Sequence, residues 1–549
     1  MPQLRPSLAA LSEPFRWLLH LVIGGRDVYL STRGPATVTA ADGTVREFLT
    51  GYGLGDYSRS VDLWSVSSSP RSQAFETLLD FDLALMVSRG APLFAATGEL
   101  SQWYEGTTWE QRRVVLRGFL IEPAYGAVDE PFAFSITEDP SDDREVVPPA
   151  SWLIEEGVTF IEAGNLGPDP GVVGQSYPLI IGAPGQALAT GTTSPAYSDD
   201  VAGSPALLVQ RDGTKVSATL TQYDVLIAGG RVGASSVKII NLTDTARVFT
   251  ATPLAGVDAL GQAYTYVNPT IGNIPFEGDE LFAVWDPASG GGMRNPFGKG
   301  ALRSAGDVIR WALQASSIRV DNSRLGELSV LDAFKIDTYI NTPVSPWAWL
   351  QSEVLPVLPV TVGTGPDGIF VVPWLARAVV AEQAVAILED GRNVTRRSGL
   401  VYTAVGDVYN EITLRYAPNV ATGAFAGRRT LGGYRYAADD PQTSPAYWCK
   451  RSQAIFGRRS FVIETSVIYD DATADAVVAH LARRYSHPRR EVVFSAGRDL
   501  DWLRPGDVVL VTDASVSLAA VPAVVGSISY SDDALDIQVV IFEPLVFGQ

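Results

Sequence analysis

The stretch DWLRPGDVVLVTD, Asp501–Asp513, decides how the C-terminal part of this chain is interpreted. Pro505 fixes its own φ angle and Gly506 tolerates a positive φ, so the pair is typical of a tight turn. The run that follows, Val508–Val511, is short and rich in β-branched residues, which favours a strand. The stretch therefore predicts a sharp turn that opens a barrel strand, and it contains no pattern typical of catalysis.

The composition predicts β structure for most of the chain. The 549 residues are too many for one core, and at roughly 150 residues per domain they suggest about three to five domains. With 51 Gly and 35 Pro, many turns and short strands are favoured over long helices. We therefore predict a mainly β multidomain protein with a small α+β part.

The net charge is −19. Such a chain is not expected to bind nucleic acid through its overall field. The same charge suits a passage through which DNA slides without sticking, because like charges repel. Solubility alone would also explain it.

Four segments are predicted. They are an N-terminal β-domain at 1–147, a second β-rich, barrel-like domain at 148–299, a helix-bearing α+β domain at 300–375, and a C-terminal β-barrel domain at 376–549 with one helix at 473–486. Two stretches are interpreted as linkers: the charged, Pro-containing residues 138–151 and the Gly-rich residues 286–300.

Helix signals are concentrated in the third segment. Ser304 is a plausible N-cap for a helix over 305–316. Ser345 followed by Pro346 predicts a second helix start, and Pro356 is expected to end that helix. Residues 375–470 are interpreted as a return to β structure. In the first segment, the nearly continuous apolar run 114–121 predicts a strand covered on both faces.

The chain shows no membrane or export signal. No stretch approaches the ~18 uninterrupted apolar residues of a spanning helix. The apolar stretch FRWLLHLVIGG at 15–25 is short, and no small-residue cleavage site follows it. We therefore expect neither a stable membrane insertion nor a signal peptide.

Candidate catalytic or metal-binding residues are few. His20 lies in an apolar run and is expected to be packed, whereas His480 and His487 are seven residues apart, which is no metal spacing, and are expected at the surface. Cys449 is the one cysteine and is expected to be buried, which excludes an intrachain disulfide and a Cys-based zinc site.

Five acidic pairs are interpreted as turn residues, since sequence neighbours in a turn cannot face each other across a cleft. They are Asp142-Asp143, Asp199-Asp200, Asp439-Asp440, Asp470-Asp471 and Asp532-Asp533. We therefore predict no catalytic residue, no metal site and no cofactor.

Three stretches together resemble the hub proteins of long-tailed phage tails. The sharpest is ARRYSHPRREVVFSAGRDLDWLRPGDVVLVTD at 482–513, where a helix leads to a strand and a Leu-x-Pro-Gly-Asp turn opens the next strand. Residues 305–325 with 344–374 are similar to the helix-bearing central domain of that family, and residues 98–139 are similar to its N-terminal β-domain.

The resemblance implies a structural role in the virion. Hubs of this family are trimers that cap the tail tube, and two tube-like β-barrel domains in each subunit adapt the sixfold tube to threefold symmetry. Implied partners are further copies of the chain, the distal tail protein, the tail tube and tape-measure proteins, receptor-binding or fibre proteins, and DNA only in transit through the lumen. The protein would be assembled in the host cytoplasm and lie at the phage tail tip. No appended lysozyme or peptidase segment is visible.

Two alternatives remain at this point. One is another tail or baseplate component, such as a distal tail protein that forms a hexameric ring. The other is a glycan-degrading tail enzyme, because the 12 Trp and 20 Tyr could stack on sugar rings. Ring symmetry separates the first alternative from a hub, and a polysaccharide-release assay separates the second.

Overall fold

The computed structural model places most of the chain. It describes residues 15–32, 34–50, 52–54, 57–62, 71–77, 96–125, 132–138, 145–156, 158–159, 170–186, 200–210, 223–269, 273–275, 278–365, 368–373, 384–433, 444–530 and 535–541. Strands dominate these residues and helices are few, so the prediction of a mainly β protein with a small helical part is confirmed.

The N-terminal part forms a nine-stranded sheet. The strands are β1 Phe15–Ile23, β2 Arg26–Ser31, β3 Ala36–Thr39, β4 Val45–Thr50, β5 Tyr52–Leu54, β6 Tyr57–Asp62, β7 Arg71–Thr77, β8 Thr97–Tyr104, β9 Arg113–Tyr125 and β10 Phe132–Glu138. Their order in the sheet is β3-β4-β2-β1-β8-β9-β10-β7-β5, and β6 pairs elsewhere. In β1 the side chains of Leu19, Leu21 and Ile23 alternate into the core, as the period of a strand requires.

The prediction that residues 114–121 are covered on both faces is wrong. Leu116 and Leu120 are buried, but Phe119 between them is 55% exposed. The strand lies in an antiparallel part of the sheet, between β8 and β10. Such a sheet can pack one face on the core and turn the other outward.

The next part forms a seven-stranded sheet. Its region contains β11 Leu179–Ile181, β12 Ser204–Gln210, β13 Tyr223–Gly229, β14 Val237–Asn241, β15 Phe249–Ala251, β16 Leu254–Val257, β17 Ala263–Val267 and β18 Leu281–Trp285. The sheet order is β15-β14-β18-β12-β13-β17-β16, while β11 pairs outside it. Trp285 is fully buried in its core and donates a hydrogen bond from Nε1 to Ser204 Oγ (2.9 Å).

The helix-bearing part follows the sequence prediction closely. Its elements are α1 Ala305–Ala315, β19 Thr338–Ile340, α2 Pro346–Trp349, β20 Val360–Gly365 and β21 Gly368–Pro373. Ser345 caps α2 by accepting a hydrogen bond from the Ala348 N–H (3.1 Å). A π turn at Leu350–Val354 and a 3-10 turn at Leu355–Val357 continue α2, so the helical path runs through Pro356 before β20 begins.

The C-terminal part contains two sheets and two helices. The elements are β22 Ala386–Glu389, β23 Val394–Arg396, β24 Val401–Tyr402, β25 Glu411–Asn419, β26 Ala424–Leu431, α3 Pro445–Phe456, β27 Ser460–Glu464, α4 Asp471–Tyr485, β28 Arg490–Ala496, β29 Val508–Asp513, β30 Leu518–Tyr530 and β31 Leu535–Ile541. A ten-stranded sheet contains β6, β20, β21 and most of these strands, and β26-β25-β27 form a three-stranded sheet. The helix predicted at 473–486 is confirmed as α4.

Helix α3 was not predicted, because residues 375–470 were interpreted as β. Ser444 accepts a hydrogen bond from the Tyr447 N–H (3.1 Å), Pro445 occupies the first turn, and Gly457 with φ +73° follows the last residue. These are ordinary helix boundary residues. Buried Trp448 and Cys449 give the helix its inner side.

Several contacts join segments that lie far apart in sequence. β6, from the N-terminal part, pairs with β30 and with β20. One hydrophobic core combines the inner residues of β1, β8, β9 and β10 with those of β28 to β31. The division into four domains remains a prediction.

The two stretches interpreted as linkers make packed contacts where they are described. The Val147 N–H donates to the Val344 carbonyl (2.8 Å), and the Val344 N–H donates back (3.0 Å). In the Gly-rich stretch, the Gly292 N–H donates to the Gly182 carbonyl (2.6 Å), and a Cβ at Gly292 would lie 2.4 Å from the Ile180 carbonyl oxygen. Glycine there permits backbone to pack on backbone.

Candidate functional site

The turn at Arg504–Asp507 closes as the sequence predicts. Gly506 has φ +87°, and the Asp507 N–H donates to the Arg504 carbonyl (3.0 Å). The Asp507 side chain accepts a hydrogen bond from the Arg504 N–H (2.8 Å). The Gly506 N–H and the Asp507 carbonyl also bond to Val525 in β30, so the turn is fixed to the sheet that it opens.

A buried charge cluster holds this turn against the helix-bearing part. The guanidinium of Arg324 lies 3.7 Å from Asp507 Oδ1 and 5.2 Å from the ring centre of Phe370. It also donates to the Pro505 carbonyl (3.4 Å) and to Glu327. Burial raises the pKa of Asp507, while Arg324 opposes that rise. The cluster joins two segments that lie far apart in sequence.

A second buried ion pair joins three segments. Arg303 donates from Nε and Nη2 to the two carboxylate oxygens of Asp337 (2.6 and 2.8 Å). The Ala183 N–H donates to the same carboxylate (2.8 Å), and the Asp337 N–H donates to the Val467 carbonyl (2.9 Å). Burial raises the pKa of Asp337, and Arg303 and the Ala183 N–H oppose it. This carboxylate is fully buried and accepts three hydrogen bonds.

The prediction that His480 and His487 lie at the surface is wrong. Both are buried, and α4 packs against α3, β25 and β26. Burial lowers the pKa of His487 to about 4, and burial together with Arg484 lowers the pKa of His480 well below its ordinary value. Arg489 donates to the Arg484 carbonyl (3.0 Å), so two buried arginines lie beside this histidine-bearing helix.

The two other candidate residues, Cys449 and His20, are packed against neighbouring side chains. Cys449 is buried as predicted, and burial raises the pKa of its thiol to about 12. His20 stacks on Tyr29 with ring centres 4.6 Å apart, as expected of a packed residue, and its Nε2 lies 2.7 Å from Asp27 on the outer face of the sheet. Neither Cys449 nor His20 is arranged as part of a nucleophile–base pair among the described residues.

The acidic residues that the structure describes in these pairs form hydrogen bonds or ion pairs within the fold. Asp470 caps α4 by accepting a hydrogen bond from the Thr473 N–H (2.8 Å), and Asp471 accepts one from the Tyr416 hydroxyl (2.6 Å). Asp200 is buried and forms an ion pair with Lys238. The pairs at 142–143, 439–440 and 532–533, together with residue 199, lie outside the described residues.

Across the described ranges, no group of three or more His, Cys, Asp or Glu side chains is placed to hold a metal ion. The described helices are all too short or too polar to cross a membrane.

The strands of the three-stranded sheet β26-β25-β27 lie within residues 375–470, which were interpreted as β, but their pairing was not predicted. Its outer strands alternate between outward and inward residues, and Arg428, Val462 and Glu464 point outward. The alternation in AFAGRRTL is weak because Gly427 and Arg429 stand at inward positions and Ala424 and Ala426 at outward ones.

These observations define the class of protein as β-rich, with buried ion pairs that join segments far apart in sequence. Residues 438–521 match a family described as "Putative phage tail protein". This range holds α3, β27, α4, β28, β29 and the turn between the last two, and it is less than half of the chain. Over these residues the chain is similar to phage tail proteins.

Solved structures give more distant likenesses. One is the 43 kDa tail protein of prophage MuSo2 from Shewanella oneidensis, at 11% identity over 96% of this chain and 98% of that chain, with a TM-score of 0.36. Another is a chain from the virion of a native gene transfer agent particle, at 13% identity over 68% of this chain and 86% of that chain, with a TM-score of 0.38. No curated protein matches the sequence. The family match is therefore the comparison that bears on function.

Proposed function

We propose that this chain is the hub of a phage tail tip, which caps the tail tube and lines part of the channel for the tape-measure protein and DNA. The family match over residues 438–521 carries this proposal. That range contains the Pro505-Gly506 turn and the whole stretch 482–513, in which the sequence resemblance to tail hubs is sharpest. The role is structural rather than catalytic.

The buried ion pairs support a structural role for the protein. The ion pairs Arg303–Asp337 and Arg324–Asp507 each connect segments more than 30 residues apart. Removing one partner of such a pair leaves the other charge without its counter-ion, which is destabilising.

The proposed assembly is a homotrimer in the virion, in contact with the distal tail, tube, tape-measure and receptor-binding or fibre proteins. DNA would meet the chain only in transit. The net charge of −19 agrees with a lumen that repels the phosphate backbone.

The first test is the mass of the purified protein, measured by light scattering over a concentration range. A trimer is expected. A hexamer would contradict the hub and favour a distal tail ring. Release of soluble sugar from host surface polysaccharide would contradict a purely structural role, and heat-treated protein is the control for that assay.

A further inference from the structure

The three-stranded sheet β26-β25-β27 has two outer strands that pair only with β25 within the described part of the chain. β25 and β26 are antiparallel, whereas β25 and β27 are parallel. One face packs against α4, and the other carries the exposed residues of β26 and β27 together with Arg415 of β25. Strand edges with free backbone groups are templates for pairing with another strand.

The backbone of β27 presents donors to its outer edge. The Thr465 N–H, just after the strand, donates to the Arg415 carbonyl (3.0 Å) and so points toward β25. Successive N–H groups of a strand point to opposite edges. The N–H groups of Val462 and Glu464 therefore face away from β25, where an incoming strand would accept them.

The outward charges are ordered across the sheet. Arg415 in β25 lies opposite Arg428 in β26 on one side and opposite Glu464 in β27 on the other. Arg415 Nη1 donates to Glu464 Oε1 (2.7 Å). The row thus reads cation, cation, anion from β26 to β27. Like charges directly opposite destabilise a strand pair, and an anion beside Arg428 would relieve this.

The exposed charges at the two edges of the sheet are complementary, since Arg428 lies in β26 and Glu464 in β27. A second copy of the chain therefore presents a cation at one edge to the anion at the other.

We propose that the outer edge of β27 in one copy pairs with the outer edge of β26 in the next copy. The joint is head-to-tail and antiparallel, because β26 and β27 run in opposite directions within one sheet. The joint places Glu464 beside Arg428 of the neighbouring copy. It also places Val462 beside Thr430 of that copy, because Val462 and Thr430 both pair with Thr413 within one sheet. This inference rests on the proposed function in one respect: it names the surface through which copies of the proposed hub join.

A head-to-tail contact closes into a ring when its rotation closes, and otherwise it continues as a filament. The observations favour a copy of the chain over DNA. A strand edge offers backbone donors at the spacing of another strand, and the anion of the row already lies at the β27 edge. A phosphate backbone would be attracted by Arg428 but repelled by Glu464.

Cysteine cross-linking tests the joint. One chain carries Val462→Cys and a differently tagged chain carries Thr430→Cys, and the two are co-expressed and oxidised. Side chains opposite each other in a strand pair lie within disulfide reach. Val462 is 51% exposed, and the native Cys449 is buried and does not compete. A disulfide-linked heterodimer is expected at tenfold or more above the yield with Val401→Cys, a 56% exposed valine in β24.

Charge variants provide an independent check. Glu464→Arg in the cross-linking background should lower the yield at least threefold, and Arg428→Glu combined with Glu464→Arg should restore it. The matched control, Arg392→Glu on an exposed turn, should leave the yield unchanged. A yield that is insensitive to both Glu464→Arg and the exchange would overturn the proposed charge pairing.

The outcomes separate this inference from the proposed function. Cross-linking no higher than with Val401→Cys would overturn the joint, even if light scattering gives a trimer. Cross-links within a hexamer would support the joint and overturn the threefold hub. Homodimers of Val462→Cys alone would indicate a twofold contact and overturn the head-to-tail order. Duplex DNA binding that Arg428→Glu abolishes, without cross-links, would assign the surface to nucleic acid instead.

Discussion

Arg303 and Asp337 form a two-point ion pair in which the carboxylate is fully buried. The guanidinium donates at 2.6 and 2.8 Å, and the Ala183 N–H adds a third hydrogen bond. Arg303 precedes α1, Asp337 precedes β19, and Ala183 follows β11. The pair therefore fixes the start of the helix-bearing part against the second β-rich part.

Asp337→Ala should destabilise the protein by about 3–5 kcal/mol, because it leaves the Arg303 guanidinium without its buried counter-ion. The measurement is the midpoint of urea unfolding, followed by tryptophan fluorescence. Arg392→Ala removes an exposed ion pair with Glu389 and should change stability by no more than about 1 kcal/mol. Equal effects of the two variants would contradict the structural role of the buried pair.

Gly506→Ala should destabilise the turn that opens β29. Gly506 has φ +87°, and a Cβ there would lie 3.3 Å from Val372 Cγ2. The left-handed conformation costs a residue with a Cβ roughly 1–2 kcal/mol. Gly399→Ala is the control, since Gly399 has no positive φ and no atom lies within 4 Å of the added carbon. Unfolding midpoints that shift equally in both variants would show that the turn geometry is not limiting.

The turn at Arg504–Asp507 and the strand after it were predictable, because Pro-Gly chemistry and a β-branched run act within a few residues. Helix α4 was predictable for the same reason, since its apolar residues recur at helical spacing. Helix α3 was missed although Ser444, Pro445 and Gly457 mark its ends. Its aromatic residues and mixed charges hide the helical period, and tertiary packing of Trp448 and Cys449 completes the helix.

Contacts between distant segments could not be predicted. Nothing in Tyr57–Asp62 distinguishes a strand that joins the N-terminal sheet from one that pairs with β30. The burial of His480 and His487 was also missed, because a histidine near a helix end is equally compatible with the surface. Helix α4 packs against α3, β25 and β26, and these contacts between separate elements are not visible in the sequence pattern.

Cys449 should not react with a thiol reagent in the folded protein at pH 8. Burial raises its pKa to about 12, so both access and thiolate are lacking. The measurement is the colour released from an aromatic disulfide reagent, before and after addition of guanidinium. We expect less than a tenth of an equivalent at first and one equivalent after unfolding, since the chain has one cysteine. Rapid reaction in the native state would place α3 at the surface.

The stability of the protein should fall as the pH drops from 7 to 5, and His487 should account for part of that fall. The pKa of His487 is near 6.5 in the unfolded state. In the folded state it is about 4, because burial and Arg451 disfavour the imidazolium. The folded state thus keeps His487 neutral while the unfolded state takes up a proton below pH 6.5. Titration of His487 leaves the free energy of unfolding almost unchanged above pH 6.5 and lowers it by about 2 kcal/mol at pH 5.

His487→Gln removes this proton linkage, so the variant should lose less stability than the wild-type protein between pH 7 and 5. Urea midpoints at pH 7, 6 and 5 provide the comparison, and each protein is referred to its own value at pH 7. His20→Gln is the matched control, because His20 lies on the outer face of the sheet beside Asp27. If the wild-type protein and His487→Gln lose stability in parallel, His487 is not held neutral by burial.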